Sequence, residues 1–140
     1  MVKPSESQPR MHADERRCGS INAITEQIIG AAMRVSNGLG TGFLEKPYEN
    51  ALCHELRKAG LKVDQQRPAA IYYDNVIVGD YILDLLVEDT VVVEIKACKA
   101  IDPAHVAQTI NYLKATEHQI GLILNFGTSR LQIKRLVHEL

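Results

Sequence analysis

From Ile21 onward apolar residues return every three or four positions: Ile21, Ile24, Ile28, Ala31 or Ala32, and Val35. That spacing predicts an amphipathic helix ending near the glycine-rich stretch "SNGLGTG". A second helix follows in "LEKPYENALCHELRKAG", with Leu44, Tyr48, Leu52 and Leu56 on one face and Gly60 at the position after its end. Pro47 fits only in a first helical turn, which sets the start near Glu45. From Leu61 the period changes from helix to strand. "LKVDQQ" alternates, "AAIYYDNVIVG" reads as strand and turn, and "DYILDLLVEDTVVVEIKAC" as two strands joined at Glu88-Asp89-Thr90. Asp102-Pro103 opens a third helix to about Ala115, with Asp102 as N-cap. "IGLILNFG" is apolar throughout, as a central strand covered on both faces is. "RLQIKRLVHEL" fits a last strand or a short helix equally. The order ααβββαβ predicts an α+β domain, a mixed sheet flanked by helices, over residues 21–140. Residues 1–20, polar and aperiodic with Pro4 and Pro9, read as a flexible N-terminal tail.

Composition narrows the class. The chain has 140 residues, 46% hydrophobic and 24% charged, with no tryptophan, so one domain with an aliphatic core is expected. No apolar run approaches the roughly 20 residues that span a bilayer, and the N-terminus has no apolar signal segment. A cytoplasmic location without membrane contact follows as the expectation. Cys18, Cys53 and Cys98 are odd in number and lack zinc spacing, so reduced thiols are expected. Five scattered histidines show no ligand spacing, and "GLGTG" lacks the lysine of a phosphate-binding loop.

Charges inside apolar strands carry the candidate chemistry. A three-residue hairpin centred on Asp89 pairs positions whose numbers add to 178, which sets Asp84 opposite Glu94 on one face, with Lys96 two residues on. Two carboxylates about 5 Å apart, at an effective dielectric of about 20, repel by about 3 kcal/mol. Lys96 supplies part of the counter-charge, and a divalent cation would supply more. Oxygen ligation by Asp84, Glu94 and the Ile95 carbonyl suits Mg²⁺ or Mn²⁺. Against this stands a simpler account, since Glu-x-Lys on the wet face of an antiparallel strand is common. Asp84 amid "YILDLLV" weighs against that account, because aspartate is disfavoured in strands.

Asp84 followed ten positions later by Glu94-x-Lys96 resembles the PD-(D/E)xK nuclease superfamily. "GFLEKPY", Gly42 to Tyr48, resembles the signature of the GxxExxY protein family assigned to it, and "QTINY" is similar to the QxxxY motif of its RecB-like branch. The resemblance runs over about residues 21–137 and implies a restriction-endonuclease-like core. It implies a Mg²⁺- or Mn²⁺-dependent nuclease hydrolysing phosphodiester bonds, in DNA foremost. In it Glu45 would help hold the metal, Asp84 and Glu94 would be its principal ligands, and Lys96 would act on the attacking water and the phosphate. Gln108 and Tyr112 would line the site from one helical face.

Nucleic acid is the expected partner, with a homodimer as a further expectation. A net charge of −1 and a pI near 6.5 argue against a strongly basic nucleic-acid binder. They leave open a catalytically silent module of the same fold that binds nucleic acid or protein. Arg130, Lys134 and Arg135 with Lys99 and Lys114 would form a modest basic rim, or a solvated face.

Overall fold

The computed structural model describes residues 10–139, with side chains from Ile21 to Glu139. Three helices and five strands follow in the order α1 (Arg10–Leu39), α2 (Glu45–Lys58), β1 (Val63–Tyr73), β2 (Val76–Val87), β3 (Val91–Lys96), α3 (Pro103–Thr116), β4 (Ile120–Asn125) and β5 (Gln132–Val137). The open C-terminal segment is therefore a strand. It forms one edge of the sheet, with half-buried Ile133 packed on the α1/α2 core, buried Leu136 on the α3 core, and Lys134, Arg135 and Val137 exposed. Helix α1 begins at Arg10, so part of the stretch expected as a tail is helical; Arg10–Ser20 lacks an apolar repeat but is rich in helix formers. Residues 1–9 of that expected tail lie outside the described residues.

The sheet order is β1-β2-β3-β4-β5, antiparallel throughout except between β3 and β4, which run parallel. The parallel pair needs a crossover, and α3 supplies it. Two cores flank the sheet. On one face α1 and α2 bury Ile28, Val35, Tyr48, Leu52 and Leu56 against Leu85, Val93, Ile95 and Leu122. On the other α3 sets Tyr112 and Leu113 against Leu83, Leu86, Val92 and Ile123. This is an α+β mixed sheet between helices, the restriction-endonuclease-like architecture expected from the sequence.

Helix α3 starts as its sequence predicts. The Asp102 carboxylate accepts from the backbone N–H groups of Ala104 (2.8 Å) and His105 (3.1 Å), and His105 Nδ1 accepts from the Asp102 N–H at 3.3 Å. In α2, Tyr48, Leu52 and Leu56 are buried, but Leu44 is the N-cap and 78% exposed, so the apolar stripe starts one turn later than expected. Tyr48 explains the glycines before it. Its hydroxyl donates to the Gly40 carbonyl at 2.6 Å and accepts from the Phe43 N–H at 3.3 Å, while its ring stacks on Phe126 at 4.7 Å. The loop folds back onto the helix through Gly40 and Gly42, both at positive φ (70° and 110°). Among the described residues, no helix is long and apolar enough to cross a membrane.

Candidate active site

The hairpin between β2 and β3 has the expected register: Val87–Val91, Leu86–Val92 and Leu85–Val93. The ladder ends there. Asp84 and Glu94, next in the same register, are joined by their side chains: the Glu94 carboxylate accepts from the Asp84 N–H (3.2 Å) and the Asp84 carboxylate from the Ile95 N–H (2.8 Å). Each acid thus satisfies a backbone donor of the other strand where the strands stop pairing.

The other side of β2 changes at the same point. Its ladder with β1 passes from Gln65–Leu85 to Arg67–Leu83, and Gln66 between them takes φ 56°. Side-chain alternation slips there. Leu85 and Val87 pack under α1 and α2, whereas Leu83 packs under α3; in β1, Val63 and Ala69 divide the same way. Asp84 sits at the slip. The expectation of one shared sheet face is therefore modified, because a displaced alternation lets groups from both helical layers act on the same carboxylates.

Those groups differ from the predicted set. Glu45 is the first residue of α2, exposed, and makes no hydrogen bond or ion pair among the described residues. One turn on, Glu49 is 2% exposed. It is held by Lys46 (3.0 Å), Gln65 (2.6 Å) and Gln66 (2.9 Å), and its charge raises the pKa of both Asp84 and Glu94. Sequence reasoning missed Glu49, although a signal was present: it lies beside Leu52 and Cys53 on the apolar stripe of α2, an acid among core positions.

Burial pushes the Glu94 carboxyl, 6% exposed, up to about 8, with repulsion from Asp84 next in size; Lys96 opposes the shift. Burial also raises Asp84, against the Ile95 N–H and Lys96, which favour its anion. Of the two acids the more buried Glu94 takes the proton first. Lys96, half-buried, is close enough to act on both carboxyls, and Ile95 turns its side chain into the α1/α2 core. From the α3 side comes Tyr112, buried and packed edge-on to Tyr81 at 4.6 Å. Burial and then the charge of Glu94 raise its phenol. Gln108, one turn earlier on α3, is exposed.

Asn125 determines where β3 leaves the site. It is fully buried and pairs with Lys96 in the β3–β4 ladder. Its Oδ1 accepts from the N–H groups of Cys98 and Gly127, and its Nδ2 donates to the Cys98 carbonyl and Gln132 Oε1, all at 3.0 Å. Every hydrogen-bonding position of the amide is used. Gly127 lies against the backbone of Ala97 and Cys98 with no room for a Cβ. The turn after Lys96 is thereby clamped to β4.

Two of the basic residues named for a rim or a solvated face, Arg135 and Lys134, have different surroundings. Arg135 donates to Asn22 (2.9 Å) and Thr25 (3.3 Å) on the α1 side, while Lys134, next along β5, lines a groove with α3. Cys53 and Cys98 are free thiols, and burial pushes Cys53 up to about 11, so it stays protonated and inert.

A mixed sheet carrying an aspartate, a glutamate and a lysine at the point where two central strands part defines a class of nuclease-like folds. The family model of the PD-(D/E)XK nuclease superfamily matches residues 22–136, and the chain belongs to that superfamily. No curated protein and no solved structure matches the chain.

Proposed function

We propose that the chain is a metal-dependent nuclease that hydrolyses phosphodiester bonds, with DNA as the first substrate to test, of the GxxExxY type within the RecB-like branch. The observation that carries this is the Asp84–Glu94 pair: a half-buried and a buried carboxyl side by side where the β2–β3 ladder stops, both shifted upward, beside Lys96. A fold holds such a repulsive arrangement where a cation or a reacting group makes use of it.

The donor set fits a hard divalent cation. Among the described residues the strand-bridging bonds use Asp84 Oδ2 and Glu94 Oε2, which leaves Oδ1 and Oε1 to ligate. Among the same residues no three His, Cys, Asp or Glu side chains gather into a metal-holding group. Two carboxylate oxygens suit Mg²⁺ or Mn²⁺, because Mg²⁺ keeps several waters and binds through one or two carboxylates plus substrate phosphate. When bound, the ion neutralises charge at the phosphate and makes a nearby water more acidic. Asp84 and Glu94 would hold it, with the Ile95 carbonyl as a further donor, and Glu49 rather than Glu45 would add negative charge from α2 without ligating. Lys96 stabilises the charge that develops on the phosphate and orients the water. Its backbone is fixed for this by the Asn125 clamp and by the Phe126 N–H, which donates to the Lys96 carbonyl at 2.8 Å. Tyr112 flanks the pair from α3, close enough to feel both charges, and exposed Gln108 would meet the substrate strand. A cytoplasmic location fits such a substrate.

Cleavage of single- and double-stranded DNA and RNA with Mg²⁺, Mn²⁺ or EDTA tests the proposal. Cleavage that needs the ion and disappears in Asp84→Asn is the expected result. Binding without cleavage under any metal would favour the catalytically silent module, whose specific support is the near-neutral net charge.

A further inference from the structure

Helix α2 carries a basic flank beyond the candidate site. At about 100° per residue, Lys46, Asn50, Cys53 and Arg57 fall within about 60° of one another, with His54 beside them. All but Lys46, with Lys58 and with Gln65 of β1, line a cleft of about 580 Å³. Among the described residues its lining holds two cations, Arg57 and Lys58, and no carboxylate. Nearby acids are engaged elsewhere: Glu55, on the opposite flank, accepts from Arg34 of α1 (3.0 Å) and Lys58 (3.1 Å), and Asp64 from Arg67 (2.6 Å). Arg57 gives one N–H to the Val63 carbonyl at 3.0 Å and has no other partner among the described residues. The cleft adjoins the site. Gln65 Nε2 donates to both Glu49 (2.6 Å) and Asn50 (2.7 Å), and Lys46 and Glu49 act on Asp84 and on Cys53 alike.

We propose that this cleft holds the sugar-phosphate backbone of the nucleic-acid strand beside the bond that the candidate site cuts. The inference rests on the nuclease reading of that site and says where the strand runs. The chemistry of the lining is that of a phosphate track. Arg57, anchored at Val63, keeps further N–H groups of its planar fork for phosphate oxygens, and Lys58 adds a second charge. Asn50 Oδ1 is taken by Gln65, so Nδ2 remains as its donor. From Lys46 to Arg57 the helix rises about 16 Å at 1.5 Å per residue, the reach of about five nucleotides at 3.4 Å each. The near-neutral net charge of the chain is no obstacle, because phosphate contacts depend on local cations and here the acids are set on other flanks.

The test uses the full chain and labelled DNA and RNA strands of about 4 and about 12 nucleotides, the longer one able to reach Arg57 from the site. Binding is measured in EDTA at several salt concentrations, and cleavage with Mg²⁺. In Arg57→Gln with Lys58→Gln, Kd and KM for the longer strand should rise about tenfold or more with kcat unchanged, and the salt slope should fall by about 1.5, as loss of two phosphate contacts requires. The short strand should be unaffected. His54→Glu, which keeps the Arg57–Val63 bond, should weaken the longer strand as well, and Arg34→Gln, a cation lost from the other flank, should change nothing. Unchanged affinity and slope in both cleft variants, while wild type still cuts, overturns the proposal and leaves the nuclease reading standing. Equal losses for both lengths, or a matching loss in Arg34→Gln, also overturn it, because the effect is then one of overall charge. Wild type that binds but cuts nothing overturns the nuclease reading, and the binding data then decide the cleft by the same criteria. Wild type that binds neither DNA nor RNA overturns both.

Discussion

Strands β2 and β3 carry acidic residues at both ends, and the two ends differ. In the connecting loop the Asp89 carboxylate takes an ion pair from Lys62 at 2.9 Å, the two side chains 57% and 60% exposed, and Glu88 accepts from the Lys62 N–H at 2.6 Å. Lys62 holds Asp89 below its ordinary value. At the other end Asp84 and Glu94 are raised, because burial removes the water that would stabilise their charge. Two aspartates of one hairpin, Asp84 and Asp89, thus shift in opposite directions. A paired acid in water marks a solvated turn. A buried acid facing a second acid marks a place where charge is to be brought in. The strand defect separates the two: the loop end closes in regular register, whereas at the site the β2–β3 ladder stops before Asp84 and the β1–β2 ladder skips the Gln66–Asp84 pair.

The largest contrast should appear in turnover. Lys96→Ala is expected to lower kcat by about a hundredfold or more, as loss of a key electrostatic donor does, with a far smaller change in DNA affinity. Lys62→Ala, removing the cation of the other end, should leave cleavage unchanged. Equal losses in both variants would erase the distinction.

Next in size is the clamp behind Lys96. Gly127→Ala forces a methyl into the Ala97–Cys98 backbone and should destabilise by about 1–3 kcal/mol in urea unfolding. Asn125→Ala leaves the Cys98 N–H and carbonyl without their partner and should cost a similar amount. A neutral result for both would mean that the turn after Lys96 is not held as described.

The pH dependence of stability should differ in sign between the ends. Glu94 binds its proton more tightly folded (about 8) than unfolded (4.5), so with EDTA present the folded state holds more protons between those values. Its contribution is complete below pH 4.5 and is lost as pH rises through 8. Melting temperature should fall over that window, and Glu94→Gln should flatten the fall. Asp89, lowered when folded, contributes above its unfolded value and loses that contribution as pH falls into the acid range. A melting temperature that rises from pH 5 to 8 and is indifferent to Glu94→Gln would contradict the raised carboxyl.

The smallest effects are expected at Lys62 and Glu45. Lys62→Ala should move the melting temperature barely beyond error, since exposed pairs are weak and screened. Glu45→Ala should retain most activity while Glu49→Gln does not. The reverse order in a cleavage assay would restore Glu45 as the acid of α2.

Much of this was legible in the chain. Apolar spacing indicated α1 from Ile21 and α2, Gly60 the end of α2, Asp102-Pro103 the start of α3, and the length of the Glu88–Thr90 loop the register that brings Asp84 near Glu94. These are local quantities: helical period, cap chemistry and loop length act over a few residues. Tertiary packing decided the rest. Glu45 and Glu49 are one turn apart on the same helical face, and only the docking of α2 against Gln65 and Gln66 shows which is buried. The slip at Gln66 and Asp84 needs two strands to err together, which a period read along one strand does not reveal. The exposure of Tyr72 and Ile77 likewise depends on where β3 and α3 stop, because burial is a relation between distant segments, whereas periodicity belongs to one.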